Sequence, residues 1–579
     1  MSLEIGEHSS ILAASVETMS ASVAPEFIAA RRVRSKSRTL LVAALALIVM
    51  LGFGFRAAHP GQEGLSEDEL NKLRAVEDYR AHGLTAANGE HPMLMKALLT
   101  ASIVMAEEWN ESSFAATHQS ARLSTETALR LPGIILGAFT SLLIFLVASE
   151  LFGTEIALIA AALWALDPTG ISFNRIAKED SFFLFFFLLA NVFWLRGQRV
   201  AERGRVNPTL YYWATAAAFG AMVASKYLPY FIAVSASYYH IFQAIPQTRW
   251  RLGKKRWAIF FAIMGAVFIL CNPAILLPGT WYEMKVFAGE HRIGHDSYEF
   301  MGKLFHNQVT LWLKGVPWYF YFVFTGVKLP LPILAAFLTG LPLLFRKRLG
   351  DGRYFILFWL FYWFFPFSVM GGKFTRYYTL ALPVVLITAA LGIHYISQLT
   401  LRLIARLSDN EKMWAYARAC VPTLFLLFPA IASANVSPHY RLYMNALGGG
   451  ETRAGTLFPH DEFYDASVRE TVSEIARRAR PGARVASETP ALFTYYAQLA
   501  GRSDIVSLSL SEREEMREFT EGDFIIVARG RRYFSNEALL NKLQETSAPA
   551  ARVSLGDVPA VSIYMLDEKS RAAINEIVK

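Results

Sequence analysis

Two neighbouring carboxylates, Asp68 and Glu69, stand in SEDELNKLRAVEDYRAHGLTAANGEHPMLMK (66–96), just past the first apolar run, and His91 with Pro92 closes the same stretch. A third acid, Asp180, ends the turn NRIAKED and opens an unbroken apolar run. Cations occupy comparable places: Arg175 five residues before Asp180, Lys226 in ASKYLPYF, and Lys373 with Arg376 in GGKFTRYY. These residue types suit one chemistry. Moving a sugar from a phosphate leaving group needs a carboxylate to orient a hydroxyl or amine and take its proton, and cations to neutralise the departing phosphate.

Each feature has a more ordinary explanation. Glu67, Asp68 and Glu69 suit the first turn of a helix, where acids complement the dipole. Lys178 and Glu179 read as interfacial anchors of the span that follows, and Lys226 as a lysine snorkelling to the membrane surface. Lys373 and Arg376 run against the positive-inside rule if they lie outside, which favours anion binding. His291, His295 and Asp296 give a weak HxxxH pattern without the glutamate of a zincin, so no metal site is expected from it. The run VPWYFYFVF (316–324) reads as an interfacial aromatic belt.

The elements that must position these residues are membrane helices. With 54% hydrophobic and 18% charged residues, the chain is too apolar for an ordinary soluble protein and too charged to be membrane throughout. Its net charge of +9 sits in short clusters between apolar runs, a mark of topology and not of nucleic-acid binding. Cys271 and Cys420 both fall in apolar runs, so neither a disulfide framework nor a cysteine metal site is expected.

Residues 1–38 form a polar leader ending in RRVRSKSR, expected to be a cytosolic basic tail ahead of a signal anchor from Thr39 to Phe55. A first extracytoplasmic loop, 59–127, then carries the acids, with a helix from Met93 to Trp109 lying at the interface. Further spans are drawn at Ala128 to Phe152, Glu155 to Gly170, Ser181 to Leu195, Thr209 to Ser225 and Tyr227 to Ile245. The series continues with Trp257 to Leu277, Leu329 to Phe345, Tyr354 to Met370, Tyr377 to Leu399 and Trp414 to Ala434, about eleven in all. Alternation places RGQRVAERGR, RWRLGKKR, RKRLGDGR and Arg402, Arg406 and Lys412 on the cytosolic side, and the acids, Lys226 and GGKFTRYY on the other. The membrane domain is thus 39–435. Residues 436–579 mix helical patterns with β-branched runs at Arg484 to Ser487, Asp504 to Leu508, Phe524 to Ala528 and Val561 to Leu566, and are expected to form an extracytoplasmic α/β domain.

The ordered set of an acidic pair after the first span, HPML, an R-x-x-x-x-D turn, the SKY lysine and KFTRYYTLALP resembles a known family. It is similar to bacterial relatives of the protein O-mannosyltransferases (glycosyltransferase family 39-like) and of the lipid A aminoarabinose transferases, which are GT-C glycosyltransferases. The resemblance covers roughly Arg38 to Ala434, and SPHYRLYMNALGGG looks like the start of the soluble domain in such proteins. It implies a mainly α, polytopic GT-C bundle in the plasma (inner) membrane, a polyprenyl-phosphate-sugar donor, and an inverting transfer of a hexosyl or pentosyl group to protein, lipid A or glycan. On matching positions it makes Asp68 the base, with Glu69 beside it and Asp180 as second acid. Lys226 and Arg376, with Arg175, Lys373 and His91, would hold the lipid phosphate and donor. The chain departs from the family's HPPL in having Met93, and Glu67 precedes the acidic pair. Some relatives place a divalent cation near the acids; nothing in this sequence demands a cofactor.

Two other classes compete. A transporter or flippase of a lipid-linked or anionic solute would line a path with the same charges, but the chain shows no internal repeat, and its ionisable residues cluster at span ends. A membrane-anchored scaffold accounts for the C-terminal part and leaves the charges at the span ends without purpose.

Overall fold

The computed structural model describes residues 38–204, 207–243, 252–289, 297–407 and 411–578. The leader up to residue 37, the beginning of RWRLGKKR, and His291, His295 and Asp296 lie outside the described residues.

A helix or helix pair stands at each expected span. The first, α1, covers Arg38–Ala57. The others are Thr125–Phe152, Thr154–Leu166 with Pro168–Asn174, Glu179–Arg203, Thr209–Val223, Ile232–Gln243, Lys254–Cys271, Leu331–Leu343, Gly352–Val369, Leu382–Leu407 and Glu411–Val436. Among the described residues, 5 are long and apolar enough to cross a membrane alone, or 6 if the bent pair counts as one span. The rest owe their place to packing against these. The span drawn through Glu155 to Gly170 is in fact broken, with a bend of 61°. The cause is local: Pro168 cannot continue the hydrogen-bond ladder, and the Asp167 side chain accepts from the Gly170 N–H at 2.8 Å, capping a new helix.

The two ends of the bundle differ in charge. At one end, Glu150 takes Arg199 at 3.0 Å and Arg196 at 3.4 Å, Gly352 lies against the Leu151 backbone, and Arg346 stacks 5.4 Å over Tyr395. Arg196 and Arg199 of RGQRVAERGR and Arg346 of RKRLGDGR therefore gather there. The opposite end carries the turn before Glu179, the Lys226 loop, the 371–378 loop and two helices of the first loop.

Those two helices are α2 (Glu67–His82) and α3 (Met93–Glu111). Ser66 and Glu69 form a capping box that starts α2, and Gly83, at φ 77°, ends it. Helix α3 buries Met95, Leu99, Ile103 and Ala106 along one face and exposes Leu98, Met105 and Trp109 on the other, the amphipathic pattern of an interfacial helix.

After Val436 the chain builds a five-stranded sheet in the order β4-β3-β5-β7-β6, following a two-stranded hairpin, β1 (Ser297–Phe300) and β2 (Lys303–His306). Strands β3 (Arg484–Ser487), β4 (Val506–Ser509) and β5 (Phe524–Ala528) are parallel, and β6 (Ala551–Leu555) and β7 (Val558–Met565) join antiparallel. Strand β6 was not among the runs read from sequence. Its ARVSL is apolar only in part, and it is fixed by the two-residue turn Gly556-Asp557, where Gly556 takes φ 59°. Helices Val468–Arg478 and Pro490–Leu499 cover one sheet face through Val472, Ile475 and Phe493; Glu537–Thr546 and Glu568–Val578 cover the other through Leu540, Leu543 and Ile574.

The first of these two cores does not stop at the sheet. It continues through Leu70, Leu73 and Val76 of α2 and Met95, Leu99 and Ile103 of α3. The helix bearing the acidic pair is thus wedged between the membrane bundle and the α/β layer, and its orientation is set by apolar burial on both sides.

Candidate active site

Helix periodicity separates the acidic pair. Asp68 and Glu69 are 100° apart around α2, and the structure gives them unlike surroundings. Glu69 is fully buried, with both oxygens saturated. Oε1 accepts from Arg130 Nε at 2.8 Å and Ala177 N at 3.0 Å; Oε2 accepts from Arg130 Nη2 at 2.7 Å and Ser66 N at 3.0 Å. Burial alone would raise its pKa, but Arg130 more than offsets that and holds the carboxyl below the ordinary range. Its oxygens thus tie α2 to Arg130 and to the Ala177 turn.

Asp68 is 36% exposed. Its Oδ2 takes the Lys178 ammonium at 2.7 Å and the Tyr464 hydroxyl at 2.5 Å. Burial pushes its pKa up, and Lys178 with Arg376 more than reverse this, leaving the carboxyl ionised well below the usual range. Lys178 also lies 3.9 Å from Glu179, which pairs with Lys72 at 2.6 Å and faces His91 Nδ1 at 3.5 Å. Lys72 is one turn beyond Asp68 on α2, on the same face. Burial pushes the His91 imidazole well below its normal pKa, and Lys72 and Lys178 add to that against the opposing pull of Glu179. The main chain around it is fixed by Lys96, whose Nζ donates to the carbonyls of Ala87, Asn88 and His91 at 3.0, 2.6 and 3.0 Å.

The cations form the other side. Lys226 pairs with Asp180 at 2.6 Å and sits 4.8 Å over the Tyr377 ring. The Arg376 guanidinium lies 5.6 Å from the same ring and 4.1 Å from Phe374, and Asp68, Tyr464, Tyr377 and Asp461 all act on it electrostatically. Two cations therefore flank one tyrosine, an arrangement that suits a phosphate.

Asp68, Asp180, Lys226, Arg376 and His91 thus come together around Lys178 and Glu179. Arg175 and Lys373 do not join them. Arg175 is 6% exposed and donates to the carbonyls of Arg56, Ala58 and His59 at 3.0, 2.6 and 3.1 Å, pinning the end of α1. Lys373 is fully buried and donates to the carbonyls of Val316, at 2.9 Å, and Met370. The two expected to hold a lipid phosphate are thus placed on loop carbonyls, Arg175 through Nη1 and Nη2 and Lys373 through Nζ. Asp180 pairs with Lys226, and Glu179 shares the Lys178 ammonium with Asp68.

Sequence reasoning missed Lys72, Lys178, Glu179, Tyr377 and Tyr464. Lys72 had a signal, its i+4 spacing from Asp68. Lys178 and Glu179 were taken for anchors facing the membrane surface, yet they are 4% and 2% exposed. Tyr464 had none.

A divalent cation does not fit the residues present. Asp68 and Glu179 share the Lys178 ammonium, and among the described residues no three His, Cys, Asp or Glu side chains converge on a point.

With this geometry in view, residues 117–276 match the family of dolichyl-phosphate-mannose-protein mannosyltransferases. The matched stretch contains Lys178, Glu179, Asp180 and Lys226, and leaves Asp68 and Arg376 outside. The match falls inside the stretch, roughly Arg38 to Ala434, over which the motifs resemble the protein O-mannosyltransferases. A search of curated proteins found no match. Among solved structures, ArnT from Cupriavidus metallidurans bound to undecaprenyl phosphate is similar at 15% identity and a TM-score of 0.46, covering 91% of this chain and 98% of that one. The Archaeoglobus fulgidus oligosaccharyltransferase tethered to an acceptor peptide is similar at 12% identity and a TM-score of 0.46, covering 84% and 69%. The arabinofuranosyltransferase AftD from Mycobacteria is similar at 16% identity and a TM-score of 0.41, covering 92% and 40%.

Proposed function

We propose that this protein transfers a sugar from a polyprenyl phosphate to a hydroxyl or amine of an envelope acceptor, with inversion, at the extracytoplasmic face of the inner membrane. One observation carries the reading. A half-exposed, ionised Asp68 and the Lys226/Arg376 pair, brought from residues 68, 226 and 376, meet at one end of the bundle. In the step, the acceptor O–H or N–H gives its proton to Asp68 and its electron pair to the anomeric carbon. The bond from that carbon to the phosphate oxygen breaks on the opposite side, and its electrons leave on the polyprenyl phosphate, whose charge Lys226 and Arg376 balance.

Attack opposite the leaving group gives inversion. The basic loops at the far end of the bundle support a cytosolic N-terminus, with residues 59–127 and 436–579 on the outer side of a membrane part spanning 39–435. Glu69 is left out of the catalytic set by its saturated oxygens. Among the described residues, the acids and cations of this site gather at one end of the bundle, which favours a transferase over a transporter.

The test is transfer by purified protein in lipid from a polyprenyl-phosphate sugar to an envelope extract, with mass spectrometry of the product. A new sugar on an envelope molecule, absent with Asp68→Asn, is the expected result. Undiminished transfer by a folded Asp68→Asn protein sinks the reading.

A further inference from the structure

Five consecutive residues beyond the last membrane helix, Asp461–Asp465, reach both halves of the site. Asp461 Oδ2 accepts from the Thr375 main-chain N–H at 2.9 Å and from the Tyr298 hydroxyl at 2.5 Å, which fixes the loop carrying Arg376. Glu462 pairs with Lys328 at 2.5 Å. Tyr464 donates to Asp68, and Arg441 lies 5.5 Å over its ring. Asp465 accepts from the Glu67 N–H at 3.2 Å, at the first turn of α2, and pairs with Arg531. All but Phe463 in this stretch therefore use a polar side chain on another segment.

The backbone points the same way. Tyr464 and Asp465 take φ 45° and 60°, left-handed values that side-chain-bearing residues seldom adopt and that persist where the surroundings enforce them. Continuing the preceding helical turn instead would aim the phenol elsewhere. The distortion turns its hydroxyl onto Asp68.

The consequence lies in which oxygen is held. Lys178 and Tyr464 both bind Oδ2, and among the described residues Oδ1 has no hydrogen-bond donor. We propose that Tyr464 is a positioning residue of the transfer reaction: its hydroxyl, with Lys178, fixes one oxygen of Asp68 so that the other is presented to the acceptor. The segment Asp461–Asp465 is then part of the active site, holding the acid helix and the cation loop in register. This inference rests on Asp68 being the base.

The experiment uses the full chain in lipid, with kcat, donor KM and the pH profile measured for wild type, Asp68→Asn and Tyr464→Phe. The groups acting on Asp68 are Lys178, Arg376, Lys72, His91 and Tyr464, with Glu67 on its own helix. Loss of one donor to the ionised form raises its pKa, so Tyr464→Phe moves the acid limb to higher pH. It also lowers kcat about 10- to 100-fold, the range for partners that orient an active group, with donor KM within about twofold.

A wild-type kcat and acid limb in Tyr464→Phe, with Asp68→Asn inactive, overturns the inference and leaves the base assignment standing. Activity retained in Asp68→Asn overturns the base assignment itself. If Tyr464→Phe does not fold, a fluorinated tyrosine at 464 keeps the shape and makes a stronger donor. The acid limb then moves to lower pH, and an unmoved limb overturns the inference.

Discussion

Asp68 and Glu69 are adjacent in sequence and opposite in design. Around Glu69, every acceptor is filled by Arg130, Ser66 and Ala177, while Arg130 also binds the carbonyls of Pro60, Glu63 and Gly64 at 2.7, 2.9 and 2.7 Å. Around Asp68, one oxygen is held and, among the described residues, the other has no donor, and a guanidinium lies nearby that is stacked on aromatic rings and, among the described residues, forms no ion pair with a carboxylate. Saturation yields rigidity, and a group with no spare lone pair cannot accept a further proton without breaking what holds it. The unsaturated neighbour is the one able to do chemistry.

Mutation separates the two most sharply. Asp68→Asn keeps the shape and removes the proton acceptor, so transfer falls about 10²- to 10⁴-fold while the protein folds normally. Arg130→Ala strands a buried carboxylate and three loop carbonyls, which costs about 3–5 kcal/mol of stability. Detergent-solubilised protein then melts early and yields little folded material. Specific activity per folded molecule and a thermal melt distinguish the outcomes, and a stable, inactive Arg130→Ala protein would erase the contrast.

On the cation side, Lys226→Ala removes the ammonium proposed to meet the donor phosphate and also frees Asp180. Donor KM is expected to rise about 10- to 100-fold, with a smaller effect on kcat. Lys373→Met, in contrast, acts on stability, because its donors serve loop carbonyls. Equal KM effects from both would return Lys373 to the site.

Acid titration sharpens the comparison further. Both carboxyls have folded pKa values below their unfolded ones, so each contributes stability that is present above the ordinary carboxylate range and lost as pH falls through the lowered value. If Asp68 is the base, as proposed, activity has an additional requirement, that this carboxyl be unprotonated. Its acid limb is expected below the ordinary aspartate range in wild type, and Lys178→Met, by removing the strongest charge opposing the effect of burial, moves it upward. An acid limb unchanged by Lys178→Met contradicts the arrangement.

Much of this was legible because period and charge are local properties. The apolar runs gave the places of the helices, and the charged residues at their ends named the turn, the lysine and the arginine that meet. Four of the five strands of the α/β sheet overlap runs read from β-branched composition, two of them, 484–487 and 524–528, to the residue. What stayed hidden was pairwise. Nothing local distinguishes Lys373, whose ammonium is surrounded by carbonyls, from Arg376 three residues on, whose guanidinium is not. Glu179 and Asp180 face different partners because one residue of helix turns by 100°. Tyr464 is 396 residues from Asp68, and only the folded chain brings it there.

The smallest expected effect is the response to a chelator. A cation already bridges the acids: the Lys178 ammonium lies 2.7 Å from Asp68 and 3.9 Å from Glu179, where a divalent ion would meet its charge at close range. A metal entering there must displace the ammonium or face its repulsion. Transfer by the purified protein is therefore expected to change less than about twofold on adding EDTA, and to gain no more from magnesium or manganese, within the noise of interactions that do not touch a reacting atom. Lys178→Ala removes the resident cation and leaves two acids without one, so it is the variant in which added divalent ions gain an effect. Loss of wild-type activity in EDTA, restored by a divalent ion, breaks this account of the site at its centre, since Lys178 would then have to move aside for each turnover.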